Sequence, residues 1–372
     1  MSLAAGRISL TSLVMAASLG LALGTEHTAL VRCPPGSVNV PAGADLHAYV
    51  EDGAAQTYCL AAGTYELGAT SLKPDSGDRL LGPPVTVGPL GEITAKAFVH
   101  KTSTSTTDKG VIEAIYSNST LSVANLDISG ACCSDYEGSM GINYGFGKLI
   151  NLTVSYSRVH DNSNMGVSGG YGLRVDHSEI DHNGGEGLSN NNYNAGIKSI
   201  HYAVITHSYF HDNDPNGMWW DCDAPGGVFT NNRVDRHQRS GVLIEISSGD
   251  ASSEETLPQG ASYGFVITEN TLSFNNLDDA PGHAGLTILD SMNVEASANT
   301  ITDSLDHDVY VYKDSRAGRS HDGCSSGFAP SGIEIHDNTH GPQDINGCDV
   351  SGITCSHNTK IKPEGGWWSP LG

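Results

Sequence analysis

Asp221 and Glu245 hold the same place in two short segments that share a frame, Gly217-Met218-Trp219-Trp220-Asp221 and Gly241-Val242-Leu243-Ile244-Glu245. If each segment is a strand, its side chains alternate between faces. Met218, Trp220, Val242, Ile244 and Ile246 then point inward, and Trp219, Asp221, Asp223 and Glu245 point outward. Adjacent strands lie about 4.8 Å apart, which makes Asp221 and Glu245 neighbours, with Asp223 about 7 Å along the strand from Asp221. Carboxylates this close do not all ionise cheaply without a cation or a raised pKa. The set is a candidate for general acid–base work or for holding Ca2+. A further segment, Gly187-Leu188-Ser189-Asn190-Asn191, aligns above the first and adds Asn191 to the column. The insertion that follows Leu188 carries Tyr193, Lys198 and His201.

The elements that must position these residues show as a loose repeat. VDHS, ITHS, FTNN, ITEN and IHDN each read apolar, two residues, then Ser or Asn, with anchors at Ser178, Ser208, Asn232, Asn270 and Asn338. Ser157 and Asn299 fit the frame less closely, and the anchor spacings are 21, 30, 24, 38, 29 and 39 residues. A period near 21–24 with insertions indicates a solenoid. No run is long and apolar enough for a helix, and each unit offers short alternating strands. One coil cannot bury its own apolar face, so stacking must build the core and align like polar side chains as a ladder. This pattern resembles the right-handed parallel β-helix, the scaffold of pectate lyases and many other polysaccharide-acting proteins. The expectation is an all-β solenoid over residues 111–360, after an N-terminal cap and first strands at 25–110 and before a C-terminal tail at 361–372. Trp367 and Trp368 in that tail are expected to fold over the last coil.

Composition narrows the class. The formal charge is −23, with 16% charged residues and 45 glycines. That charge argues against nucleic acid and anionic membranes as partners. Residues 1–24 carry Arg7, an apolar stretch and a small-residue site at Ala22-Leu23-Gly24, the pattern of an export signal rather than a membrane span. Eight cysteines without C-x-x-C spacing suit disulfides in an exported chain. Cys33 with Cys59, and Cys324 with Cys348 or Cys355, are the expected pairs. Cys222 reads as a buried free thiol.

The resemblance implies a groove on one strand face. The insertions after Leu188, Glu245 and Tyr312 are expected to leave the same end of one sheet, two of them flanking the carboxylates and walling that groove. The segments Gly196-Ile197-Lys198, His211-Asp212-Asn213 and Glu245-Ile246-Ser247 are similar to those of secreted β-helix proteins of uncertain activity. The expected partner is a polysaccharide. As a lyase, the chain would use Lys198 as the base for the proton alpha to a uronate carboxylate, with Ca2+ on Asp221, Asp223 and Glu245 neutralising that carboxylate. As a glycoside hydrolase it would use Asp221 and Glu245 as the carboxylate pair. As a non-catalytic solenoid it would bind carbohydrate through the same face. Trp219, Asn191, His201 and Tyr193 would contact the sugar, with Trp219 exposed for stacking. The same carboxylates also read as solvated strand-face residues. His160, His182 and His211, recurring at one turn position, read as turn residues rather than metal ligands.

Overall fold

The computed structural model describes residues 25–29, 31–102, 109–113, 120–132, 138–144, 151–169, 171–185, 194–199, 201–248, 263–314 and 328–361. Residues 1–24, Asn191, Tyr193, Cys324 and the Trp367–Trp368 pair lie outside the described residues. Successive coils contribute strands to three parallel sheets, of twelve, eleven and nine strands, and the central coils give one to each. One coil runs Ala203–Thr206, Tyr209–His211, Asn216–Trp220, and the next runs Gly226–Thr230, Arg233–Asp235, Val242–Glu245. The chain is a right-handed parallel β-helix in architecture. Its parallel stack reaches back to Val38–Val40, and a short helix, Leu46–Val50, buries Leu46 and Val50 against the first coils.

The anchor residues stack as expected. Backbone N–H groups of Ser157, Ser178, Ser208, Asn232, Asn270 and Asn299 each donate to the side chain of the next anchor, at 2.9–3.3 Å. From Asn232 onward each side-chain NH2 also donates to the following anchor's Oδ1. The ladder satisfies amides that the tight corner would otherwise strand in the core, where each orphan costs about 1–3 kcal/mol. The residue before each anchor takes the left-handed conformation, as at His177 (φ 48°), His207 (φ 50°) and Glu269 (φ 58°).

A second ladder runs at the next corner, through Asn162, Asn183, Asn213, His237 and Asn275. His237 substitutes for asparagine there. It is fully buried, and burial drives its imidazole down to about 3, so it is neutral. His160 and His211 do not share a turn position with His182: they end strands in register with Asp181, whereas His182 sits at the following corner with φ 50°.

Disulfides join Cys33 to Cys59 and Cys348 to Cys355. Cys348 and Cys355 therefore pair with each other, and neither takes Cys324 as the spacing suggested. Cys222 is disulfide-bonded and partly exposed at a turn with φ 59°, not a buried thiol, because the strand ends at Trp220.

Candidate functional site on the nine-stranded sheet

The register of the nine-stranded sheet sets its outer face. Pairing runs Glu113–Asn143–Ser168–Lys198–Trp219–Leu243–Thr287–Tyr310 across eight successive coils. The inward partners Ile197, Met218, Val242 and Ile244 belong to the main core, which supports the alternation read from the sequence. The strand before Asn216–Trp220 is Ala195–Ser199, not the Gly187-Leu188 segment. Two Gly-apolar steps compete in this stretch, and the sequence pattern does not distinguish them. Lys198 consequently lies in the sheet rather than on a loop. Asn191, expected beside Asp221, lies outside the described residues. The insertion segments 186–193, 249–262 and 315–327, expected to share one edge of this sheet, lie outside the described residues.

Lys198 and Asp221 meet. The Lys198 Nζ is 2.9 Å from Asp221 Oδ2 and 3.4 Å from the centroid of the Trp219 ring. A cation over an indole face gains electrostatic attraction from the ring quadrupole, more so when desolvated. Lys198 is 5% exposed and Trp219 4%, so Trp219 is a buried support for the ammonium and not the open stacking platform expected. Its ring packs with Ala195, Leu243 and Leu289, with Tyr312 at the margin. Asp221 is partly exposed, and its N–H donates to Ser199 O at 3.1 Å. Trp220 pairs with Ile244, so the next residues along the two strands are Asp221 and Glu245. Glu245 is 7% exposed.

Asp223 departs from the expected line of three. The chain turns after Trp220, with Cys222 and Asp223 both left-handed (φ 59° and 67°), and Asp223 N–H donates to Ile246 O. Among the described residues, ligand atoms of Asp221, Asp223 and Glu245 do not gather within 4.8 Å of one another. An ammonium already faces Asp221. These residues do not fit a Ca2+ cage, which needs six to eight converging oxygens. His201 is buried, stacks on Tyr171 with ring centroids 3.6 Å apart, and takes the Ser199 hydroxyl on its backbone carbonyl.

Sequence reasoning missed the other side chains on this face. Glu113, Asn143 and Ser168 extend the polar column away from Lys198, all buried, with Asn143 Nδ2 donating to Glu113 Oε1 at 3.2 Å. Each follows an inward apolar residue, Ile112, Ile142 or Val167, but that signal shows only once the register is known.

A larger polar set on the outer face of the eleven-stranded sheet was also missed. One column holds Asp127, Arg158, Glu179, Tyr209 and Arg233, and the next holds His160, Asp181, His211 and Asp235. Arg158 forks onto Asp181 at 2.9 and 2.6 Å, and His211 Nε2 meets Glu179 Oε1 at 2.9 Å. Asp235 faces Arg233, Arg236 and the Tyr209 hydroxyl. Burial alone would raise Asp181, but the Arg158 fork outweighs it and holds the carboxyl below its usual range. Burial would lower His160 and His211, yet Asp127 and Glu179 respectively raise both. A three-stranded antiparallel sheet, His27–Thr28, Thr86–Val87 and Ile93–Thr94, reaches this face: Ile93 N–H donates to Glu179 Oε2 at 2.6 Å. The signal was present, since these residues stand one and three places after Ser157, Ser178, Ser208 and Asn232.

A family model described as right handed beta helix region matches residues 141–318. The fold is a right-handed parallel β-helix. Among solved structures, the β-helix superposes on the A-module of mannuronan C-5 epimerase AlgE4 of Azotobacter vinelandii with a TM-score of 0.53, covering 87% of this chain and 95% of that one at 14% identity. The A-module of mannuronan C-5 epimerase AlgE6 from the same organism gives a TM-score of 0.50, covering 88% and 100% at 13% identity. At these identities the likeness is one of fold. No curated protein matches the chain by sequence.

Proposed function

We propose that this β-helix is an exported protein that acts on a uronate-containing polysaccharide along the outer face of its nine-stranded sheet. The observation that carries the reading is the Lys198–Asp221 pair, 2.9 Å apart beside Glu245. An acidic chain of formal charge −23 needs a local cation to receive an acidic polymer, and Lys198 supplies one on the face where the fold presents a continuous polar column. The β-helix likeness to two mannuronan epimerase modules favours the same substrate class. Disulfides, Cys33–Cys59 and Cys348–Cys355 among them, suit an oxidising compartment, and among the described residues no helix is long and apolar enough to cross a membrane.

The geometry shifts the roles first assigned. An ammonium directed at a carboxylate has no free electron pair, so Lys198 fits charge stabilisation better than base duty. In this reading Glu245 removes the proton alpha to the uronate carboxylate, and the electron pair moves onto that carboxylate beside Lys198. Expulsion of the neighbouring glycosidic oxygen, which takes up a proton, completes elimination. Return of a proton to the opposite face completes epimerisation. Asp221 orients Lys198. No step uses a metal.

A hydrolase reading has one observation in its favour. Asp221 directly follows the strand that pairs with the strand ending in Glu245, so two carboxylates come from successive coils at one edge of the sheet, and a hydrolase needs such a pair. Incubation with a panel of uronate polymers separates the readings. Ultraviolet absorbance from new double bonds marks elimination, and an altered ratio of C5 epimers by NMR marks epimerisation. New reducing ends without unsaturation mark hydrolysis. Retention on a polymer that stays intact would leave a carbohydrate-binding solenoid, and neither binding nor change on any uronate polymer would overturn the proposal.

A further inference from the structure

Two clusters of His and carboxylate side chains bring ligand atoms within 4.8 Å of one another, and they differ in kind. In the first, Asp181 is already forked by Arg158, and both ring nitrogens of His211 are taken by Glu179 and Asp212. That cluster is complete without an ion.

The second cluster is Asp176, His177 and His207, at the corner between the twelve- and eleven-stranded sheets. His177 and His207 hold equivalent corner positions on successive coils, both left-handed, and their rings stack 4.6 Å apart at 17°. Tyr156 stacks behind His177 at 4.9 Å and fixes its ring plane. Both Nδ1 atoms converge on Asp176, His207 Nδ1 at 3.2 Å from Oδ1 and His177 Nδ1 at 2.9 Å from Oδ2. The His177 contact lacks hydrogen-bond alignment. Its Nδ1 is shielded from solvent and has no other hydrogen-bond partner among the described residues. A buried acceptor or donor left in this state costs free energy unless something fills the gap.

We infer that Asp176, His177 and His207 form a surface site for a divalent transition ion of the zinc type, which staples two adjacent coils. Ligands about 2.0–2.1 Å from a tetrahedral zinc lie about 3.3 Å from one another, close to both separations seen here. Two imidazoles and one carboxylate suit zinc, nickel or copper and not calcium, which takes an all-oxygen shell. The Thr206 hydroxyl donates to Asp176 Oδ1 at 2.6 Å, the kind of outer contact that orients a ligating carboxylate. The partial exposure of all three side chains leaves the ion an open path and a fourth position for water.

The test is titration of the chelator-stripped full chain with Zn2+ alone, followed by calorimetry and thermal melting, and with Co2+ followed by its visible ligand-field bands. The expected result is one saturable equivalent, tetrahedral Co2+ bands and a raised melting temperature. His177→Ala and His207→Ala should each weaken binding by at least about 10-fold and remove the melting shift. His207 is half-exposed, so its removal leaves the coil intact, which far-ultraviolet circular dichroism verifies. His182→Gln, at the complete cluster, should bind as wild type. No saturable Zn2+ binding, binding unchanged in folded His207→Ala, or binding lost in His182→Gln would each overturn the site.

Discussion

The two outer faces of this solenoid both bury charge, and they do it differently. On the eleven-stranded face, acids and bases alternate along and across the columns. Arg158 meets Asp181, His211 meets Glu179, His160 meets Asp127, and Asp235 is shared by Arg233, Arg236 and Tyr209. The side chains of Asp181 and Asp235 are fully shielded. Among the described residues of the nine-stranded face one ammonium, Lys198, rests on Trp219 and reaches a carboxylate that remains partly exposed. Density of titratable groups therefore does not identify the working surface. A face whose charges are mutually saturated is built for register and cohesion, while a face with a single cation at its centre and a carboxylate open to solvent can receive an anionic ligand.

The largest expected effect breaks the saturated face. Asp181→Ala removes the fork on the part-buried Arg158, leaving it only the longer contact to Glu179 at 3.6 Å, and should cost about 3 kcal/mol of stability by denaturant titration. A loss below about 1 kcal/mol would show that solvent or another group screens Arg158, and the contrast between faces would weaken. On the other face Glu245→Gln should cut turnover on the responsive polymer by at least about 100-fold while leaving the denaturation midpoint nearly unchanged. Unfolding by that substitution would move Glu245 to the structural side of the comparison.

Two pH effects sharpen the same distinction. Asp308 is fully buried, its carboxyl is raised by burial to about 7, and neither oxygen makes a well-formed hydrogen bond, the amides of Ser304 and Gly341 being its nearest donors. A carboxyl raised in the folded state loses stability as pH climbs from its unfolded value, about 4, through its folded value. Asp308→Asn should therefore stabilise the protein near neutral pH by roughly 1–3 kcal/mol and flatten that slope. A variant no more stable than wild type at pH 8 would contradict the assignment. The smallest effect concerns His160 and His211. Both are raised, so their contribution is full below about pH 6.5 and fades as pH rises through their folded values. NMR titration of the two imidazoles should find both midpoints above the ordinary histidine value. Midpoints below it would mean that burial, not the facing carboxylates, governs these rings.

Much of the scaffold was legible because ladder positions restrict residue type. A corner that strands a backbone amide needs a short oxygen-bearing side chain, which selects Ser178, Ser208, Asn232 and Asn270 and makes the period visible. The second ladder was hidden because His237 interrupts its asparagines. The inward positions of Met218, Trp220, Val242 and Ile244 followed from alternation alone. The strand neighbour of Trp219 did not. Gly187-Leu188 and Gly196-Ile197 carry the same local pattern, and only long-range pairing selects the second, which brings Lys198 alongside Trp219. Exposure of Trp219 was unreadable for a related reason: an outward strand position becomes buried when Leu243, Leu289 and Tyr312 crowd it, and that depends on three other coils.

The central claim is that the Lys198–Asp221–Glu245 group is the reacting position and that Lys198 acts through its charge. Single-turnover rates for wild type, Lys198→Arg and Lys198→Ala on the responsive uronate polymer, with and without chelator, test it most directly. The account expects Lys198→Ala to lose at least about 100-fold, Lys198→Arg to retain a substantial part of the rate, and chelator to change none of the three. Equal inactivation by Arg and Ala would make Lys198 the base. Full activity in Lys198→Ala, or loss of wild-type activity on chelation, would contradict the account.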